Sequence, residues 1–187
     1  MPDLPLDPAF AHVPADVLAR AARIRLACFD VDGTLTDGAL TFDSEGRELK
    51  TFHVHDGQGL VQLREAGIAV ALITARPGGI VERRARDLGI HAHVHVADKQ
   101  QRVGELCASL GIDREAVAFM GDDLADVGAM RVAGLAVAPA DAHRCAAGVA
   151  HWTTSANGGR GAGRELCDLL LHAQGRLADG HADGRVS

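Results

Sequence analysis

Apolar residues in this chain fall into short runs separated by polar stretches that carry glycine, and the period of the runs changes along the sequence. Residues 24–29 form a compact apolar run ending in acid and glycine, the pattern of a buried strand that feeds a loop. Residues 38–54 read as a β-hairpin, with the β-prone pieces ALTF and ELKTFHV on either side of Asp43-Ser44-Glu45-Gly46. Helix and strand then alternate. Helices are predicted at 59–66, 79–88, 99–110, 125–131 and 164–174, with Gly89 and Gly111 stopping the second and third. Strands are predicted at 68–74, 93–96, 117–121 and 135–138. Strands separated by single helices imply an α/β fold, a Rossmann-like doubly wound parallel sheet covered on both faces. Residues 1–23 read as a proline-punctuated N-terminal extension with a short helix around 14–22, residues 24–174 as the core, and 175–187 as a polar, glycine-rich mobile tail.

Composition narrows the function classes. A chain of 187 residues with 47% hydrophobic and 24% charged residues suits one globular domain, which excludes a disordered or fibrous protein. The formal charge of −6 and only 3% aromatics argue against a nucleic-acid surface, which needs a basic footprint or stacking rings. Cys28, Cys107, Cys145 and Cys167 form no Cys-x-x-Cys pair, so neither a zinc knuckle nor a disulfide framework is expected. The N-terminus lacks the pattern of a signal peptide, and no apolar run approaches the ~20 residues of a membrane helix. A soluble, cytoplasmic protein without membrane partners is expected.

In doubly wound folds, function gathers at the carboxyl ends of the strands. Those ends carry Asp30 and Asp32, then Thr74 and Arg76, then Lys99, then Asp122, Asp123 and Asp126. Clustered carboxylates repel unless a cation holds them, and hard oxygen donors select Mg²⁺. In Asp30-Val31-Asp32-Gly33-Thr34 the two carboxylates are two residues apart, so extended backbone turns both to one side. Gly33 permits a sharp turn that exposes backbone N–H groups to an anion. One aspartate can attack phosphorus while the other exchanges protons with the leaving oxygen and with water.

Asp30–Thr34 resembles motif I of the haloacid dehalogenase superfamily, DxDGT, and Thr74 within ALITAR resembles motif II. Lys99 matches motif III, and Gly121-Asp122-Asp123-x-x-Asp126 matches motif IV. The resemblance implies that Asp30 is the nucleophile and Asp32 the general acid/base. It implies that Thr74 and Lys99 hold phosphoryl oxygens. Mg²⁺ would be bound by Asp30, the Asp32 carbonyl and Asp122, with Asp123 and Asp126 behind it. Thr34, Arg76 and Arg160 are the candidate substrate contacts. An aspartate at position 32 implies a phosphatase, because the superfamily's dehalogenases lack one there.

FHVHDGQGL (52–60), GDDLAD and GGRGAGRELCDLLLHAQG (158–175) are further similar to the 3-deoxy-D-manno-octulosonate 8-phosphate (KDO 8-phosphate) phosphatase family, over residues 24–177. This implies hydrolysis of a sugar-acid phosphate in lipopolysaccharide precursor synthesis. Gly79 stands where that family commonly has lysine, and Ala75 where glycine is more usual. Phosphatases of nine-carbon sugar-acid 9-phosphates share the architecture and stay open. The hairpin takes the place of a cap domain, and the resemblance implies a homotetramer in which hairpins associate and the 158–175 region approaches a neighbour's active site.

Other readings compete. His53 and His55, and His91, His93 and His95, alternate as strand residues do, and either set can present a metal face or stand half exposed. Arg83, Arg84 and Arg86 suit a solvated helix face. A phospho-aspartate signalling module also groups acids, a threonine and a lysine around Mg²⁺, but its phosphorylated aspartate follows a middle strand. Here Asp-x-Asp follows the first.

Overall fold

Four consecutive apolar residues cannot all turn to one side of a strand, so runs such as LACF, VAFM and LAVA require cover on both faces. The computed structural model, which describes residues 10–177, provides it. Residues 1–9 of the expected extension and 178–187 of the expected tail lie outside the described residues.

Six parallel strands form the sheet: β1 (Leu26–Phe29), β4 (Ala69–Ile73), β5 (His91–His93), β6 (Val117–Met120), β7 (Leu135–Ala138) and β8 (Trp152–Thr153). Their order is β5-β4-β1-β6-β7-β8. β2 (Thr41–Phe42) and β3 (Glu48–Leu49) make a separate antiparallel hairpin. Alternate residues divide the core in two. Ala27, Phe29, Val70, Leu72, Ala118, Met120, Leu135 and Val137 pack under α1 (Ala15–Ala21), α2 (Val54–Glu65), α3 (Gly79–Leu88) and α7 (Ala162–Ala173). Leu26, Cys28, Ala71, Ile73, Val117, Phe119, Ala136 and Ala138 pack under α4 (Lys99–Leu110), α5 (Val127–Val132) and α6 (Arg144–Ala147). The doubly wound parallel sheet is as expected.

Strand order reverses between β1 and β6, where the chain runs outward in opposite directions from neighbouring strands. A crevice opens at the carboxyl ends of such a pair. Asp30 leaves β1 and Asp122 follows β6, so both stand at that crevice. No helix among the described residues is long and apolar enough to cross a membrane.

The local differences have physical reasons. Strands β4, β6 and β7 and helices α3 and α4 lie close to expectation, and Gly89 (φ 66°) and Gly111 (φ 61°) cap α3 and α4 in the left-handed region. α2 starts at Val54, not at residue 59, so the second hairpin strand is short and His55 is helical. Gly57 and Gly59, both within the helix, permit close approach. A Cβ at Gly57 would lie 2.2 Å from Arg84 Nη2, and one at Gly59 would lie 2.9 Å from Cys167 Cβ. His53 occupies the N-cap position of α2, without a side-chain capping hydrogen bond, and its ring lies edge-on against His55, so this pair forms no strand face. β5 covers 91–93 instead of 93–96, and His95 takes a positive φ of 57° beyond it. Arg83 and Arg86 are solvated, while Arg84 lies over the Phe52 ring, 5.7 Å from its centroid.

Candidate active site

Asp30 is anchored as β1 ends, its amide donating to the Met120 carbonyl across the crevice at 2.9 Å. The chain then turns tightly, with the amides of Leu35 and Thr36 donating to the Val31 carbonyl at 2.9 and 3.0 Å. Thr36 Oγ1 accepts the Gly33 and Gly38 amides, each at 3.3 Å, which fixes the loop from within. This turn exposes the loop to the residues after β6. Thr34 Oγ1 donates to Asp122 Oδ1 at 2.9 Å.

Lys99 opens α4 and reaches the same point. Its ammonium is 2.6 Å from Asp30 Oδ1 and 2.6 Å from Asp126 Oδ1, and its side chain is almost fully buried. Asp126 also accepts the amides of Asp122 (3.1 Å) and Asp123 (3.2 Å) through Oδ2, so it holds both the lysine and the turn. Gly121 allows this: a Cβ there would sit 2.4 Å from Asp126 Cβ. Thr74 is buried at the end of β4, tied into the sheet through its amide, and its hydroxyl accepts the Arg76 amide at 3.1 Å.

One lysine against three acids leaves surplus negative charge in a buried site. Burial and then the Asp126 charge push Asp30 up to about 7, although Lys99 opposes them. Burial pushes Asp122 up to about 6, with the Asp126 charge adding to it against the Thr34 hydrogen bond. Burial works to lower Lys99, but the charges of Asp30 and Asp126 outweigh it and hold its ammonium above the ordinary range. Carboxylate oxygens of Asp30, Asp122 and Asp126 lie within 4.8 Å of one another. An all-oxygen donor set with unbalanced negative charge fits a hard divalent cation such as Mg²⁺.

The loop 157–161 backs this site from the same chain. The Gly159 amide donates to the Thr34 carbonyl at 3.0 Å. A Cβ at Gly158 would stand 1.9 Å from the Gly33 carbonyl oxygen, so no other residue type allows this contact. Arg160 is exposed and reaches Asp37 at 3.4 Å. Asp123 turns away from the acid trio, its Oδ1 accepting the Leu124 amide at 2.7 Å.

Two residues escaped the reading of strand ends. Lys50 contacts the Asp32 carboxylate directly and also meets Glu48 Oε1 at 3.0 Å, with its side chain almost fully buried. Arg76 reaches Glu48 at 2.9 Å and lies 3.8 Å from Asp32 Oδ2. The hairpin thus folds over the site in its own subunit. The Lys50 hydrogen bond and then Arg76 hold Glu48 below the usual carboxylate range, against a smaller effect of burial. The available signal was alternation: Glu48 and Lys50 are two apart in the expected strand piece ELKTFHV, a spacing that turns both to one side.

Comparison with known proteins agrees with this architecture. A family model described as haloacid dehalogenase-like hydrolase matches residues 94–166. A 3-deoxy-D-manno-octulosonate 8-phosphate phosphatase of Yersinia pestis is 46% identical over 173 residues, covering 92% of each chain. A solved protein of Xanthomonas campestris superposes with a TM-score of 0.90 at 52% identity, over 94% of this chain and 97% of that one. A 3-deoxy-D-manno-octulosonate 8-phosphate phosphatase of Moraxella catarrhalis, solved with magnesium, phosphate and KDO, superposes with a TM-score of 0.86 at 39% identity, over 89% of this chain and 97% of that one.

Proposed function

The chain belongs to the 3-deoxy-D-manno-octulosonate 8-phosphate phosphatase family of haloacid dehalogenase-like hydrolases, and on that premise we propose that it hydrolyses KDO 8-phosphate to KDO and phosphate with Mg²⁺. The observation that carries the reading is the buried Asp30–Lys99 pair beside Asp122, at the crevice where strand order reverses. Asp30, Asp122 and the Asp32 carbonyl are the proposed metal ligands, with Asp126 behind them. When bound, the cation neutralises charge on the transferring phosphoryl group, where most catalysis of this reaction resides.

Lys99 fixes the Asp30 carboxylate and offers positive charge to the phosphoryl oxygens. Thr74, buried at the next strand end, donates to them. Asp30 attacks phosphorus, and Asp32 gives a proton to the departing sugar oxygen. Water then attacks the aspartyl phosphate and leaves its proton on Asp32, which restores both groups. Lys50 holds the Asp32 carboxylate during this exchange. Arg76 and Arg160 supply positive charge for the sugar's carboxylate.

We assign the working form to a homotetramer. Leu40, Phe42, Leu49 and Val54 on and beside the hairpin are all more than half exposed, an apolar surface suited to hairpins meeting in pairs. A cytoplasmic location suits the four cysteines, all free thiols.

The experiment is steady-state turnover of KDO 8-phosphate, nine-carbon sugar-acid 9-phosphates and neutral hexose phosphates by the wild type and Asp30→Asn. The wild type should prefer KDO 8-phosphate, and Asp30→Asn should keep its circular dichroism and lose turnover. Preference for a neutral hexose phosphate overturns the substrate. Activity in Asp30→Asn, or one stoichiometric phosphorylation without turnover, overturns the mechanism.

A further inference from the structure

The turn after β6 divides its acids between two clusters of different chemistry. Asp122 and Asp126 face Asp30 in an all-oxygen set, while Asp123 meets His143 and Cys145, with ligand atoms within 4.8 Å of one another. His143 Nδ1 lies 3.0 Å from Cys145 Sγ, and Asp123 Oδ1 lies 3.8 Å from each of them. A four-coordinate zinc ion with bonds of ~2.0–2.3 Å spaces its ligand atoms roughly 3–4 Å apart. One ion therefore reaches all three donors with small side-chain shifts.

Local backbone structure holds these donors in place. The His143 amide donates to the Asp122 carbonyl at 2.8 Å, which ties the loop before α6 to the catalytic turn. His143 Nδ1 also accepts the Cys145 amide, a long contact of 3.4 Å that places the ring over the first turn of that helix and that a bound ion would replace. Asp123 is fixed by its hydrogen bond from the Leu124 amide and by a capping box with Asp126, and its Oδ1 is the oxygen that faces His143 and Cys145. Cys28, Cys107 and Cys167 are buried, whereas Cys145 is only partly covered.

We propose that Asp123, His143 and Cys145 form a second cation site, which takes one borderline-soft divalent ion of the zinc class and is separate from the Mg²⁺ site. One nitrogen, one sulfur and one oxygen donor select such an ion over Mg²⁺, which prefers oxygen alone. Cys145 ligates as the thiolate, its proton passing to solvent, and water completes the fourth position. The bound ion clamps the turn that carries Asp122 and Asp126 to the loop before α6.

The test uses the full-length protein with Mg²⁺ in excess to fill the oxygen site. Co²⁺ and Zn²⁺ are titrated against a chromophoric chelator. One equivalent should bind, Co²⁺ should give thiolate-to-cobalt charge-transfer absorption, and Zn²⁺ should protect Cys145 from iodoacetamide in mass spectrometry. Cys145→Ala should lose the band and bind at least an order of magnitude more weakly, with its circular dichroism and Mg²⁺-supported turnover unchanged. His143→Asn should likewise lose the band. The site is overturned if no ion binds, if Co²⁺ binds without the charge-transfer band, or if Cys145→Ala keeps wild-type affinity.

Discussion

Gly33 carries a φ of +90°, and a Cβ there would lie 2.1 Å from Asp122 Oδ2. Substitution thus adds two costs, left-handed strain of ~1–2 kcal/mol and a collision with a proposed metal ligand. Gly33→Ala should lower the urea midpoint and raise the Mg²⁺ concentration needed for half activation. Unchanged Mg²⁺ dependence would separate the loop from the metal site. Lys50 belongs to the same scale. It touches Asp32, although the hairpin that carries it reads from the sequence as an interface element. Lys50→Met should lower kcat by up to ~10²-fold through loss of a positioned general acid, with KM little changed and Lys50→Arg partly restoring turnover. A loss confined to KM would instead assign Lys50 to sugar binding.

At the scale of elements, Asp56 joins two helices. It lies in the first turn of α2, yet its Oδ1 accepts the Arg164 amide at 2.8 Å and so caps α7, the helix behind the 157–161 loop. Burial raises its carboxyl above the ordinary value of 3.8, and the Arg164 hydrogen bond only partly offsets that. A raised native pKa means that the native state keeps a proton over a range where the unfolded chain has released it. The stability linked to this group is therefore full below 3.8 and is lost as pH rises through the native value. Asp56→Asn, which stays neutral, should gain stability relative to the wild type as pH rises across that window. Urea unfolding at a series of pH values checks the sign, and a difference that shrinks with rising pH would refute it.

For the whole molecule, the exposed apolar hairpin predicts association. Phe42→Glu should shift light scattering from tetramer to a smaller species and lower kcat/KM for KDO 8-phosphate. A monomeric wild type would remove the premise. Mixing Asp30→Asn with Arg160→Ala subunits tests whether Arg160, which meets Asp37 in its own chain, also serves a neighbour. Recovered turnover after subunit exchange would place it in trans, and none would confine it to its own subunit. The sequence by itself determined the layered α/β architecture, since fully apolar strand runs alternating with helices admit few other arrangements. It also determined which strand ends carry Asp30, Thr74 and Asp122, because those positions follow directly from where each apolar run stops, whereas Lys99 opens α4 beyond the end of β5 at His93. Tertiary structure alone decided that α2 begins at Val54 and takes in Gly57, that Lys50 covers Asp32, and that Asp123 turns from Asp30 toward His143 and Cys145. Periodicity reports which face a residue occupies along its own element. Contacts between residues distant in sequence depend on how elements pack, and that is set by side-chain shape and burial across the whole chain.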